Sequence, residues 1–304
     1  MNRFFLSWDK PACRAVAERL LSLENDFHRH LVLVPTRESG RQLREFLASI
    51  SRTQAIFAPQ VIPADQFLRM EEKEETASAP EELAGWLLAL GKTPHRLYPR
   101  LFPRAMPEDF SSMLEMAGSL QNLRHAMANQ GISCIMAHHA CAGRDERWTE
   151  RLEEQCTQQL ESWKLENRTS MKAEAPPRLL NSLRETGGNI ILACAAEVPA
   201  PLRHALRHAE SNGVPVQIWI HAPAEEAASF ASWGCPLPEE WSRRPIKIRD
   251  DQIKIAANPA RLAEETCRII ARTAEGETPD IALGVCDPDM NVALDAALRQ
   301  YGWS

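Results

Sequence analysis

The feature that most constrains this fold is a change of hydrophobic period at residue 35. Leu31-Val32-Leu33-Val34 is an uninterrupted apolar run, and Pro35-Thr36-Arg37 follows it directly. Beyond that point the apolar positions move to helical spacing at Leu43, Phe46 and Leu47. A short apolar run without polar alternation is a strand buried on both faces, as in a parallel sheet covered by helices. Its carboxyl end feeds a helix N-terminus, with Thr36 and Ser39 as candidate caps and Arg37 and Arg41 at the rim. Ligands of open α/β sheets bind at the carboxyl ends of strands, so Thr36, Arg37 and Arg41 are positioned to meet a phosphate.

The neighbouring sequence extends this alternation. Arg3 to Trp8 reads as a strand, Pro11 to Leu23 as a helix, Leu31 to Pro35 as a strand and Ser39 to Ile50 as a helix. Gln54 to Pro59 reads as a third strand and Pro63 to Leu68 as a short helix. Strands alternating with helices imply a parallel sheet with crossover helices. After the charge run Glu71-Glu72-Lys73-Glu74-Glu75 the period is helical to about Leu183, a helical insertion of roughly 100 residues. Alternation resumes with strand Gly188 to Cys194, helix Ala200 to Ser211 and strand Val214 to Ile220. A last set follows: strand Gln252 to Ala256, helix Ala260 to Thr273, strand Ile281 to Cys286 and helix Met290 to Gln300. The expected organisation is residues 1–70 and 186–250 in one α/β domain, 71–185 in the helical insertion and 251–304 in the start of a second α/β domain. The stop at Ser304, just after a helix, is read as a cut where a further strand is expected.

Composition excludes several classes. A formal charge of −6 over 304 residues rules out a wholesale basic nucleic-acid-binding domain and leaves room for a local basic groove. No segment reaches the run of about 20 apolar residues that spans a bilayer, and the N-terminal apolar patch is too short for a signal peptide. Eight scattered cysteines without a C-x-x-C pair suit reduced thiols and a cytoplasmic setting.

Candidate chemical motifs are mostly weak. Gly91-Lys92-Thr93 looks like the tail of a phosphate loop, but the preceding Trp86 to Leu90 is helical and Gly85 is misplaced by one residue, so it reads as a helix end. The position proper to a phosphate loop, Ser7-Trp8-Asp9-Lys10-Pro11-Ala12, has no glycine and carries an aspartate, which argues against ATP binding there. Cys134, His138, His139, Cys141 and Cys156 do not match structural zinc spacing. His204 and His208 share a helical face with Arg203 and Arg207, which would repel a cation. Asp287 and Asp289 read as caps for the last helix. No metal or cofactor is expected. Basic residues are more suggestive. Arg37, Arg41 and Arg44 open one helix, Arg96, Arg100 and Arg104 interleave with Tyr98 and Phe102, and Arg243, Arg244, Lys247 and Arg249 follow Trp241. Cations among aromatics suit single-stranded nucleic acid.

The order of these pieces is distinctive: Val34-Pro35-Thr36-Arg37, Ala58 to Leu68, Asn189 to Cys194, Val198 to Arg203, Val214 to Pro223, Trp233-Gly234-Cys235-Pro236 and Ile281 to Asp289. It resembles the N-terminal helicase-like region of AddB-type ATP-dependent nuclease subunits, the PD-(D/E)XK nuclease family proteins of bacterial double-strand-break repair. The resemblance implies a RecA-like (P-loop NTPase-like) parallel sheet with an inserted helical subdomain and a second RecA-like domain. It puts Thr36 and Arg37 where a helicase motif contacts the DNA backbone. It puts Ile191 to Glu197 at the Walker B position, without the Asp-Glu pair that holds magnesium and activates water. The implied function is a catalytically inactive helicase-like module of a DNA repair and recombination nuclease. Its implied partners are single-stranded DNA and a partner helicase-nuclease subunit. The alternatives are a scaffolding domain without DNA contact and a nucleotide-binding α/β protein.

Overall fold

The computed structural model describes residues 1–51, 57–70, 76–92, 109–134, 136–137, 148–166, 175–245, 247–273, 281 and 283–303. The chain forms two compact units, Met1–Ser242 and Arg243–Ser304.

Among the described residues, the first unit carries one sheet of five strands, all parallel, in the order β1-β5-β4-β2-β3. In chain order the elements are β1 (Asn2–Phe5), α1 (Ala12–Leu21), β2 (Leu31–Val34), α2 (Arg37–Ile50), β3 (Gln60–Pro63) and α3 (Ala64–Arg69). Then come α4 (Ala79–Lys92), α5 (Phe110–Asn129), α6 (Trp148–Ser162), α7 (Pro177–Thr186), β4 (Ile190–Ala193), α8 (Ala200–Ser211), β5 (Val216–Ile220) and α9 (Pro238–Ser242). One row of paired residues crosses the whole sheet: Arg3, Ile218, Leu192, Leu33 and Ile62.

The two inner strands, Leu31–Val34 and Ile190–Ala193, are buried at every position, as expected of a sheet covered on both faces. Val32, Val34, Ile191, Ala193 and Trp219 face α1 and α2, meeting Val16, Ala17, Leu20, Leu43 and Leu47. Leu31, Leu33, Ile190, Leu192, Val216, Ile218 and Ile220 face the other way, onto Phe67 of α3, Leu180 and Leu183 of α7, and Leu202, Ala205, Leu206 and Ala209 of α8. The alternation along each strand thus divides one apolar run between two cores.

The turn from α7 into β4 depends on two glycines. Gly187 takes the left-handed conformation at φ 68°, and the N–H of Gly188 returns to Leu183 O at 2.8 Å, closing the helix end. A Cβ on Gly188 would stand 2.1 Å from Arg29 O, so this close approach admits only glycine.

Helices α4, α5 and α6 share a separate core of Trp86, Ala89, Leu90, Ala117, Leu120, Leu152, Cys156 and Leu160. Beside it runs a buried polar seam. Glu82, 2% exposed, accepts from Gln121 Nε2 at 3.3 Å and meets His125 Nε2 at 2.9 Å, and Arg124 pairs with Glu153.

Two expectations are corrected. A strand lies at Gln60–Pro63, and of the expected Gln54–Pro59 strand the described residues 57–59 join no ladder. Pro59 and Pro63 bracket it like turn residues, yet proline is tolerated at the ends of an edge strand, and among the described residues β3 pairs only with β2. In the second unit, helices α10 (Pro259–Thr273) and α11 (Met290–Gln300) form as expected and pack through Ala263, Cys267, Leu294 and Ala297. The two strands expected around them do not: among the described residues, neither 252–256 nor 281–286 joins a ladder. Their apolar alternation is real, but no strand among the described residues pairs with them, and Ile253, Ile255, Ile281, Leu283 and Val285 remain exposed. Among the described residues this unit shows the packed helical pair α10 and α11. Gln54–Ile56, Glu71–Glu75, Thr93, Arg96, Tyr98, Arg100, Phe102, Arg104, His138, His139 and Cys141 lie outside the described residues. No helix among those described is long and apolar enough to cross a membrane.

Candidate functional site

The chain runs from β1 through α1 to β2 and through α2 to β3 on one face, then returns through α7 to β4 and through α8 to β5 on the other. β2 and β4 are neighbours whose outgoing segments leave toward opposite faces. A doubly wound sheet opens a crevice at such a point, outside the carboxyl ends of the strands. Pro35, Thr36 and Arg37 follow β2 at that edge, and Cys194 to Glu197 follow β4.

Each sequence-predicted residue has a distinct fate there. Thr36 is the N-cap of α2: its Oγ1 accepts from Ser39 N at 3.0 Å and shares a 2.8 Å hydrogen bond with Ser39 Oγ. Its hydroxyl is committed to the helix. Arg41 is held by two carboxylates of its own helix, with Nε 2.9 Å from Glu38 Oε2 and Nη1 on Glu45. The Arg41 hydrogen bond holds Glu38 below the usual carboxylate range, and Glu38 in turn pushes the Arg41 guanidinium up. Arg37 stands exposed in the first turn of α2 with no ion pair or hydrogen bond among the described residues. Its charge adds to the positive end of the helix dipole. Arg44 is drawn aside, Nη1 reaching Val61 O at 3.4 Å.

The β4 side carries no acid pair and no activated nucleophile. Cys194 has a left-handed backbone at φ 54°, strained for a residue with a Cβ, while its N–H still reaches Trp219 O at 2.8 Å. Burial, with the Cys13 thiol nearby, pushes Cys194 up to about 12. Cys13 itself donates to Ser39 O at 3.6 Å and is raised by burial and by Glu38. Both thiols stay protonated and unreactive near neutrality. Glu197 is exposed in the loop before α8.

The β1–α1 loop, where a phosphate cradle would belong, is tied to β5. Trp8 Nε1 donates to His221 O at 2.7 Å, His221 Nε2 to Lys10 O at 2.8 Å, and Lys10 Nζ pairs with Glu18 at 2.5 Å. The loop turns a carbonyl inward where phosphate would need N–H groups. Gly91 and Lys92 close α4, and Lys92 Nζ donates to Gln159 Oε1 at 2.8 Å. His208 Nδ1 accepts from Ala175 N at 3.3 Å, and Arg207 lies 5.5 Å over the Trp233 ring. Among the described residues no three His, Cys, Asp or Glu side chains gather as a metal site. Asp289 makes no side-chain cap bond to α11; Asp287 Oδ1 instead accepts from Asp289 N at 3.0 Å. In the second unit Arg249 is paired with Asp251 at 2.9 Å.

One feature of this edge escaped sequence reasoning. Trp8, at the carboxyl end of β1, leads a chain of rings through Trp241, Phe230 and Phe5, with centroid spacings of 6.4, 5.8 and 6.4 Å. Arg3 caps it, 5.7 Å over Phe5. A lone tryptophan after a strand has no periodic signature; only the fold reveals its company. No protein-family model matches the chain, and no curated protein matches it.

Proposed function

We propose that this chain is a catalytically silent, helicase-like module with a RecA-like sheet and an inserted helical subdomain. It binds single-stranded DNA at the carboxyl edge of the sheet and works beside a helicase-nuclease subunit in DNA repair. The observation that carries the reading is Arg37: a cation unpaired among the described residues, at a helix N-terminus, on the rim of the β2/β4 crevice. Backbone phosphate is the ligand such a group takes. Nucleotide hydrolysis fits poorly, because the β1–α1 loop is tied to His221 and the β4 end lacks a carboxylate pair. Arg41, neutralised by Glu38 and Glu45, takes a lesser part than Arg37. The exposed apolar side chains of the second unit, Ile255 foremost at 95%, suit a protein partner.

Fluorescence anisotropy with a labelled oligothymidylate tests this. Affinity should fall with salt, and Arg37→Ala should reduce the log–log salt slope by about 0.7, the share of one phosphate contact on a single strand. Arg41→Ala should change it less. Salt-indifferent binding, or a slope untouched by Arg37→Ala/Arg41→Ala, sinks the proposal. Saturable binding of a fluorescent ATP analogue would favour the nucleotide-binding alternative.

A further inference from the structure

We infer that Trp8 is a base-stacking platform that works with Arg37 on the same strand of DNA. The inference rests on the single-stranded DNA reading and names a contact that reading does not require. Three observations converge on it.

Trp8 is 48% exposed, although its polar atom is satisfied: the indole N–H is fixed on His221 O at 2.7 Å. What remains open is ring surface, held in one orientation. Exposed indole normally carries a usable N–H; here only the π-face is on offer.

The ring is also braced. Trp241 supports it at 6.4 Å, and Trp241 is itself anchored by Nε1 to Ser229 O at 3.1 Å and by an edge-on contact with Phe230 at 5.8 Å. A platform that is already ordered loses little side-chain entropy on binding.

The register places it at the right edge. Arg3 and Leu33 lie in one row of the sheet, three strand spacings apart, which is roughly 14 Å. Trp8 follows Arg3 by five residues, and Arg37 follows Leu33 by four. Both therefore leave the same carboxyl edge, a π-face at one end and, toward the other, a cation unpaired among the described residues. A flexible polyanion bearing flat bases is complementary to that pair, with one base on the indole and a phosphate on the guanidinium.

The test titrates the intact chain with labelled oligothymidylate and with an oligomer of equal length made of abasic residues. The wild-type protein, Trp8→Ala, Trp8→Phe and Arg37→Ala are compared, each checked for a native thermal transition. Trp8→Ala should weaken oligothymidylate binding about 5- to 150-fold, the range of one base–aromatic stack, while Trp8→Phe retains most of it. On the abasic oligomer Trp8→Ala and wild type should bind alike. Trp8→Phe should also remove part of the fluorescence quenching that oligothymidylate causes, a readout independent of affinity. Equal binding of both oligomers by the wild type, or a loss in Trp8→Ala that persists on the abasic strand, overturns the stacking role. If Trp8→Ala is silent while Arg37→Ala lowers the salt slope, stacking fails and the DNA reading stands. If neither oligomer binds the wild-type chain, the DNA reading fails and the stacking role falls with it.

Discussion

The ring of His221 donates from Nε2 to the backbone carbonyl of Lys10 at 2.8 Å, joining the end of β5 to the loop that opens α1. The bond is partly buried and holds the loop in a shape closed to phosphate. His221→Ala should lower stability by about 1 kcal/mol, the net worth of one such hydrogen bond. His221→Gln, which keeps a donor, should recover part of it. Urea midpoints at constant m-value measure both; no change in either variant means the bond holds nothing in place.

Gly187 and Gly188 should behave very differently. Alanine at Gly187 meets open space and bears only the left-handed backbone strain, about 1 kcal/mol. Alanine at Gly188 drives a methyl into Arg29 O, so β4 cannot lie beside β2 unmoved. A loss of at least ~3 kcal/mol, or failure to fold, is expected. Thermal melts of the two variants should rank Gly188→Ala far below Gly187→Ala.

Arg124 is 8% exposed, its Nη1 has no partner among the described residues, and Glu153 supplies its counter-charge. Removing Glu153 strands a buried cation. Glu153→Ala should therefore lose about 3 kcal/mol, whereas Arg124→Met/Glu153→Leu should be close to neutral. A double-mutant cycle on chemical denaturation decides this; additive single losses would mean the two charges are not coupled.

Cys156 and Cys194 are both pushed up to about 12, chiefly by burial, from an ordinary value of 9.0. A raised folded value favours the protonated native form. The stabilisation is complete below pH 9 and disappears as pH climbs from 9 toward 12, where the unfolded thiols ionise first. Each thiol should steepen the alkaline loss by about 1.4 kcal/mol per pH unit over that window. Urea midpoints from pH 7 to 10.5 should fall less steeply for Cys194→Ala than for wild type. Near pH 8 a thiol reagent should modify exposed Cys286 long before either of them.

Where sequence reasoning succeeded and where it stopped has physical causes. Leu31–Val34 and Ile190–Ala193 are legible because a strand buried on both faces leaves no polar alternation. Ala200–Ser211 is legible because four inward positions repeat at helical spacing. Strand β3 was displaced because proline marks both turns and edge strands. The segments 252–256 and 281–286 have strand texture without a ladder partner among the described residues, and pairing is not a local property. At the crevice the cap by Thr36 was readable from its position. The neutralisation of Arg41 went unread, although Glu38 and Glu45 sit three and four residues away. The brace behind Trp8 was not readable, because Trp241 is brought to it only by the path of the chain after β5.

The row that ends at Arg3 has a temporal consequence. Among the described residues strand β1 pairs with β5 alone, so it has no place in the sheet until Val216 to Ile220 exist. At ribosomal speeds of about 5–20 residues per second, that is a delay of roughly 10 to 40 s. Throughout it Phe4 and Phe5 have no sheet to join, and the growing chain is open to holdase chaperones at this apolar segment. The sheet can close at β1 only after β5 has been made.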